Sequence, residues 1–249
     1  MTDELFALRG GTGDRLLVLL HGMGANADVW RPMLADIERR WNGRWIAPDL
    51  RGHGRSIKHG PFDLRTFARD VADLAAAEKA REIVIAGHSF GGVIAALLGA
   101  GGDLPVARVA AFSVKLDWSD EDVARMHGLA ARPAQDFATD EEAAARALAF
   151  AGLKGLAGID SPVARAGVEA NGGRFRTAFN TQVFGSTDKD VVESMRPCRV
   201  LRLATGEHDA MAPIAPMRAL DPDAVTLPGV GHNAHWEDPD AVWGFVLKA

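Results

Sequence analysis

Three side chains and two backbone positions of this 249-residue chain have the types and the order that acyl transfer requires. A serine hydroxyl is a poor nucleophile at neutral pH. It needs a base beside it, a group that orients the base, and donors for the oxyanion that develops. Ser89 stands in Gly87, His88, Ser89, Phe90, Gly91, after an apolar run and before a helical pattern. In that setting a strand–turn–helix corner exposes the serine, and small residues two places away on each side let the backbone cross closely. Asp209 closes Gly206, Glu207, His208, Asp209 after another apolar run; an acid at a strand end can accept the N–H of a histidine and fix its tautomer. His232, in Gly229, Val230, Gly231, His232, is the candidate general base. The candidate oxyanion donors are the backbone amides of Phe90 and of Met23, the latter in His21, Gly22, Met23, Gly24.

Neighbouring residues compete for some of these roles. Asp117, after the run 106–112, is a second candidate acid, though it reads more simply as a hinge residue. His21 reads as loop support. His235 with His232 could begin a metal site, but no carboxylate or cysteine pattern completes one, so neither metal nor cofactor is expected.

These residues need a scaffold that brings distant segments together. Near-continuous Leu, Ile and Val at 16–20, 45–47, 83–86, 106–112, 200–204 and 224–227 fit strands buried on both faces. Helical patterns at about 30–40, 64–79, 90–100, 213–220 and 238–248 alternate with them, which predicts a mostly parallel sheet. Residues 5–8 add an antiparallel strand, turned back by 10–14. Every candidate catalytic segment follows a strand directly.

The alternation breaks at 116–195, which reads as a helical cap inserted after the sixth core strand, leaving 1–115 and 196–249 as the core. Such an insertion emerges at the carboxyl edge of the sheet, where ligands bind. Ser119 with Asp122 marks one helix start, and Thr139 with Glu142 opens a second that runs to Phe150 and stops at Gly152. Trp118, Met126, Leu129, Phe137, Leu148 and Phe150 are expected to cover the mouth of the sheet. Trp118, Phe137 and Phe150, with Phe175 or Phe179, suggest an apolar acyl or aromatic ligand; Arg174 and Arg176 could bind a substrate carboxylate but read more simply as exposed surface arginines.

Composition excludes several other classes. A net charge of −5 without a Lys/Arg stripe argues against nucleic acid. Cys198 is alone, so no disulfide forms within the chain, and it reads as a small core hydrophobe. The acidic start and the lack of an apolar run of about 18 to 20 residues predict a cytoplasmic protein with no membrane partner. Gly11 and Gly13 precede a strand, which excludes a dinucleotide fingerprint.

Five ordered motifs resemble the α/β-hydrolase family: His21–Gly22–Met23–Gly24, the segment from Asp49 to Ser56, the serine pentapeptide, the Asp209 loop, and the His232 loop with Glu237 and Pro239 behind it. The resemblance implies an α/β-hydrolase fold and an esterase-like member with a serine nucleophile and a helical cap. A serine at the corner argues against the dehalogenases and epoxide hydrolases of the family, which use aspartate. The implied substrate is a small molecule with an acyl or carbonyl group: a small to medium carboxylic ester, thioester or lactone, cleaved through an acyl-enzyme. The same residues would serve carbon–carbon bond hydrolysis of a β-diketone or ring-fission product. A ligand-binding protein or cofactor-free oxygenase is a third reading.

Overall fold

The computed structural model describes residues 4–248. Seven strands make one sheet in the order β1-β3-β2-β4-β5-β9-β10. They are β1 (Ala7–Gly11), β2 (Arg15–Leu20), β3 (Arg44–Pro48), β4 (Glu82–His88), β5 (Val106–Phe112), β9 (Leu201–Gly206) and β10 (Val225–Leu227). All pair in parallel except β1, which runs antiparallel to β3.

The period-two geometry of a strand sends alternate residues of β2 into opposite halves of the core. Leu16, Val18 and Leu20 join Phe67 and Val71 of α2 (Leu64–Ala77) and Ile94 and Leu98 of α3 (Phe90–Gly101). Leu17 and Leu19 join Met33 and Ile37 of α1 (Arg31–Arg40) and Val242 and Trp243 of α10 (Pro239–Lys248). Residues 16–20 are fully buried, as a strand covered on both faces must be.

Two expectations shift at the N-terminal edge. The antiparallel strand extends through Gly10 and Gly11, which pair with Trp45 and Arg44 instead of turning. Gly10 fits there because a Cβ would lie 2.6 Å from the Trp45 ring. Only this strand precedes the first parallel one, so the insertion leaves the sheet after the fifth core strand in chain order, not the sixth.

The insertion is not purely helical. It holds α4 (Asp120–Ala130), α5 (Asp140–Phe150), the short α6 (Pro162–Arg165) and α7 (Val191–Met195). It also holds a three-stranded sheet, β6-β8-β7, from β6 (Asp136–Phe137), β7 (Val168–Asn171) and β8 (Arg174–Thr177). Strands of two to four residues are too short to show an alternating pattern. Gly172 and Gly173, with φ 55° and 82°, supply the tight turn between β7 and β8. Both expected helix starts are capped as read: the Ser119 side chain accepts from the Asp122 amide and Thr139 from the Glu142 amide. Short α8 (Ile214–Arg218) and α9 (Ala234–Glu237) complete the chain. No helix among the described residues is long and apolar enough to cross a membrane.

Candidate active site

Ser89 occupies the single residue between β4 and α3, with φ 50° and ψ −116°. A non-glycine residue in this region costs on the order of 1–3 kcal/mol and is kept only where its surroundings fix it. Here the Ser89 amide donates to Phe112 O at 2.9 Å, and Ser89 O accepts from the Gly92 amide at 2.9 Å. The flanking glycines are required sterically. A Cβ on Gly91 would lie 2.2 Å from Leu20 O, and one on Gly87 would lie 2.5 Å from Gly91 O. The first turn of α3 is therefore pressed onto the end of β2, next to the loop that carries Met23.

That loop is held by two buried histidines. His53 Nε2 accepts the Gly24 amide at 3.0 Å and His21 Nε2 accepts the Leu50 amide at 2.9 Å. Each Nδ1–H then donates to a carbonyl, Arg51 O for His53 and Gly22 O for His21. Both rings are consequently neutral, and burial pushes both below the ordinary histidine range, His53 well below. His21 is thus loop support. Asp49 ties down the segment behind it, accepting from the amides of Ala27 and Arg55. With the loop fixed, the amides of Met23 and Phe90 donate no hydrogen bond among the described residues, and both residues line the same cavity as Ser89.

Asp209 and His232 meet where two loops touch backbone to backbone: a Cβ on Gly206 would lie 2.3 Å from Gly231 O. His232 Nδ1–H donates to Asp209 Oδ2 at 2.9 Å, and Asp209 Oδ1 accepts from the Met211 amide at 3.0 Å. Burial pushes the Asp209 carboxyl up, but the hydrogen bond and charge of His232 and the Met211 amide outweigh it and hold the group below the usual carboxylate range. Asp117, by contrast, is half exposed and pairs with Lys115 at 3.5 Å. Glu207 turns away to accept from the Gly229 amide. His232 and Ser89 face one cavity of about 330 Å³. No direct hydrogen bond joins them among the described residues, and such contacts commonly close only around a substrate.

Two neighbours of His232, named in the motifs without a role of their own, hold its loop. His88 Nε2–H donates to His232 O at 2.9 Å, and its ring also meets Gly22, where a Cβ would lie 2.8 Å from His88 Nδ1. Glu237 accepts the Gly231 amide at 2.7 Å, fixing the loop from behind. His235 does not line the Ser89 cavity and is fully buried against Trp30 and His88.

Of the apolar residues expected at the mouth, Trp118, Met126 and Phe150 line the Ser89 cavity, together with Leu64, Val93 and Val114. Leu148 instead enters the core beside α1 and α10. Leu129, Phe137 and Phe179 line a separate, larger cavity.

The model of the alpha/beta hydrolase family matches residues 17–244. The chain belongs to the alpha/beta hydrolase family. Among its relatives, the magnesium-chelatase 30 kDa subunit of Rhodobacter capsulatus is 38% identical over 104 residues, 41% of this chain and 35% of that protein. The pimeloyl-acyl-carrier-protein methyl ester esterase of Photorhabdus laumondii is 34% identical over 142 residues, 54% of this chain and 51% of that protein. The chain thus spans about a third to a half of these two relatives. In three dimensions it superposes on E-2-(acetamidomethylene)succinate hydrolase with a TM-score of 0.80 at 21% identity, over 98% of this chain and 95% of the other, a likeness of fold.

Proposed function

We propose that this hydrolase cleaves a small to medium carboxylic ester, thioester or lactone through an acyl-enzyme on Ser89. The observation that carries the reading is the opening of Ser89 and His232 onto one cavity, with the far side of His232 bound to a buried Asp209 at 2.9 Å. His232 Nε2 takes the Ser89 proton as Oγ attacks the carbonyl carbon, and the Met23 and Phe90 amides receive the oxyanion. The same imidazolium gives its proton to the departing alcohol or thiol. Water, deprotonated by His232, then attacks the acyl-enzyme, releases the acid and returns the proton to Ser89. A relative that is itself a methyl ester esterase supports an ester substrate.

The cavity walls support an apolar acyl group of moderate length: Leu64, Val93, Val114, Trp118 and Met126 leave few polar contacts. In this reading residues 116–195 form a cap over the site.

Turnover of p-nitrophenyl acetate, butyrate and octanoate by the parent and by Ser89→Ala tests the proposal. Ser89→Ala is expected to fall by a factor on the order of 10⁴ to 10⁶ while folding normally. A variant that retains the parent's rate overturns it.

A further inference from the structure

Beside the Ser89 cavity lies a second one of about 550 Å³, walled by the insertion and by the loop that carries Lys58. Phe150 and Phe184 line both, so the two spaces share a wall. That wall stands against the candidate oxyanion loop: a Cβ on Gly24 would lie 2.8 Å from Phe150 Cβ. The second cavity therefore begins about one aromatic ring away from the Met23 loop.

Its charge is opposite to that of the chain. The net charge of the protein is −5, yet this cavity is lined by Lys58, Arg132, Arg146 and Arg176, with Glu169 the single carboxylate among the lining residues. Glu169 is divided between Lys58 and Arg176, 4.0 Å from each. The Arg176 Nε is buried and lies 3.3 Å from Asp136 Oδ1 without the alignment of a hydrogen bond. Arg132 and Arg146 form no ion pair among the described residues, and the Arg146 guanidinium lies 4.3 Å from the centre of the Phe150 ring. Guanidinium groups left with free donors beside aromatic faces bind carboxylate or phosphate oxygens on a molecule that also has an apolar or planar body.

We propose that this cavity is an anion-binding annex that takes a carboxylate or phosphate carried on the leaving-group side of the substrate. The side follows from the contrast between the two spaces. The apolar cavity at Ser89 suits the acyl chain, so a charged group on the far side of the scissile bond is the part left to cross Phe150 and meet Arg132 and Arg146. The preferred substrates are then esters or thioesters of an acidic alcohol or thiol. The assignment to substrate rests on the hydrolase reading above; the binding of an anion does not.

A matched pair separates the two claims. 4-(Butyryloxy)benzoate and 4-(butyryloxy)benzamide have the same acyl group and differ in one charge. The parent is expected to favour the anion by about 10-fold or more in kcat/KM, chiefly through KM, and the preference shrinks in 0.5 M NaCl as charges are screened. In Arg132→Gln/Arg146→Gln the anion-to-amide ratio falls towards one, and Arg146→Lys restores part of it. A parent ratio near one, or a ratio that the double variant leaves unchanged, overturns the annex. If the parent cleaves neither ester, the hydrolase reading has failed, and calorimetry with 4-hydroxybenzoate decides the annex alone. Binding by the parent that the double variant loses supports it, and absence of binding by the parent overturns it.

Discussion

Replacing His235 by phenylalanine is expected to make the protein markedly less sensitive to acid. The ring is fully buried, neither nitrogen has a hydrogen-bond partner among the described residues, and it packs against Trp30 at 5.1 Å and His88 at 4.5 Å. Burial, with the nearby His232 adding to it, lowers its pKa from 6.5 to about 3. Below pH 6.5 the unfolded chain binds a proton that native His235 refuses. The stability due to the neutral ring is therefore complete above that pH and is lost as the pH falls towards about 3. With those two values, His235 alone costs about 2 kcal/mol by pH 5, with a limiting slope of about 1.4 kcal/mol per pH unit. In urea titrations followed by circular dichroism, taking m near about 3 kcal/mol/M, the parent midpoint falls between pH 8 and pH 5 by about 0.7 M more than that of His235→Phe. His88, also buried and held well below the ordinary range, keeps some slope in both proteins, so the difference between them is the quantity of interest. Parallel midpoint curves would refute the neutral, buried state assigned to His235.

Two substitutions probe the frame around Ser89, and a chemical modification probes the core. Asp209→Asn keeps the shape of the buried site but removes the charge that orients His232, so kcat is expected to fall by about 10³ to 10⁴ with little change in melting temperature; a loss under tenfold contradicts the role given to the 2.9 Å contact. Gly91→Ala places a methyl group 2.2 Å from Leu20 O, a backbone clash that only movement of α3 relieves. It is expected to cost about 2–3 kcal/mol, seen in calorimetry as a melting point several degrees lower, and to displace Ser89. Cys198 is buried, and burial pushes its thiol up, so iodoacetamide at pH 8 is expected to alkylate it only after unfolding.

The sequence carried the Ser89, Asp209 and His232 segments openly because each follows an apolar strand and is marked by glycines whose need is local. Gly87, Gly91 and Gly206 each stand where a side chain would strike backbone within 2.5 Å. In the structure His232 Nδ1–H donates to Asp209 Oδ2 at 2.9 Å, whereas Asp117 pairs with Lys115. What stayed hidden depends on contacts between distant residues. Nothing near His88 in the sequence marks its partner, because the fold brings to it the carbonyl of His232, 144 residues later. The β7–β8 hairpin has strands of four residues, too short for a period to stand out among polar neighbours. Arg176 reads more simply as a surface residue by type, and only the pairing of β8 with β7 sets it opposite Glu169, in a cavity that Lys58 also lines.

The proposed chemistry turns on activation of Ser89 as a nucleophile. Fluorophosphonate treatment of the purified protein, followed by intact mass and peptide mapping, tests it most directly. One covalent adduct per chain is expected, located on Ser89, absent from Ser89→Ala and much slower to form in His232→Ala. An unlabelled parent protein, or an adduct at another residue, contradicts it.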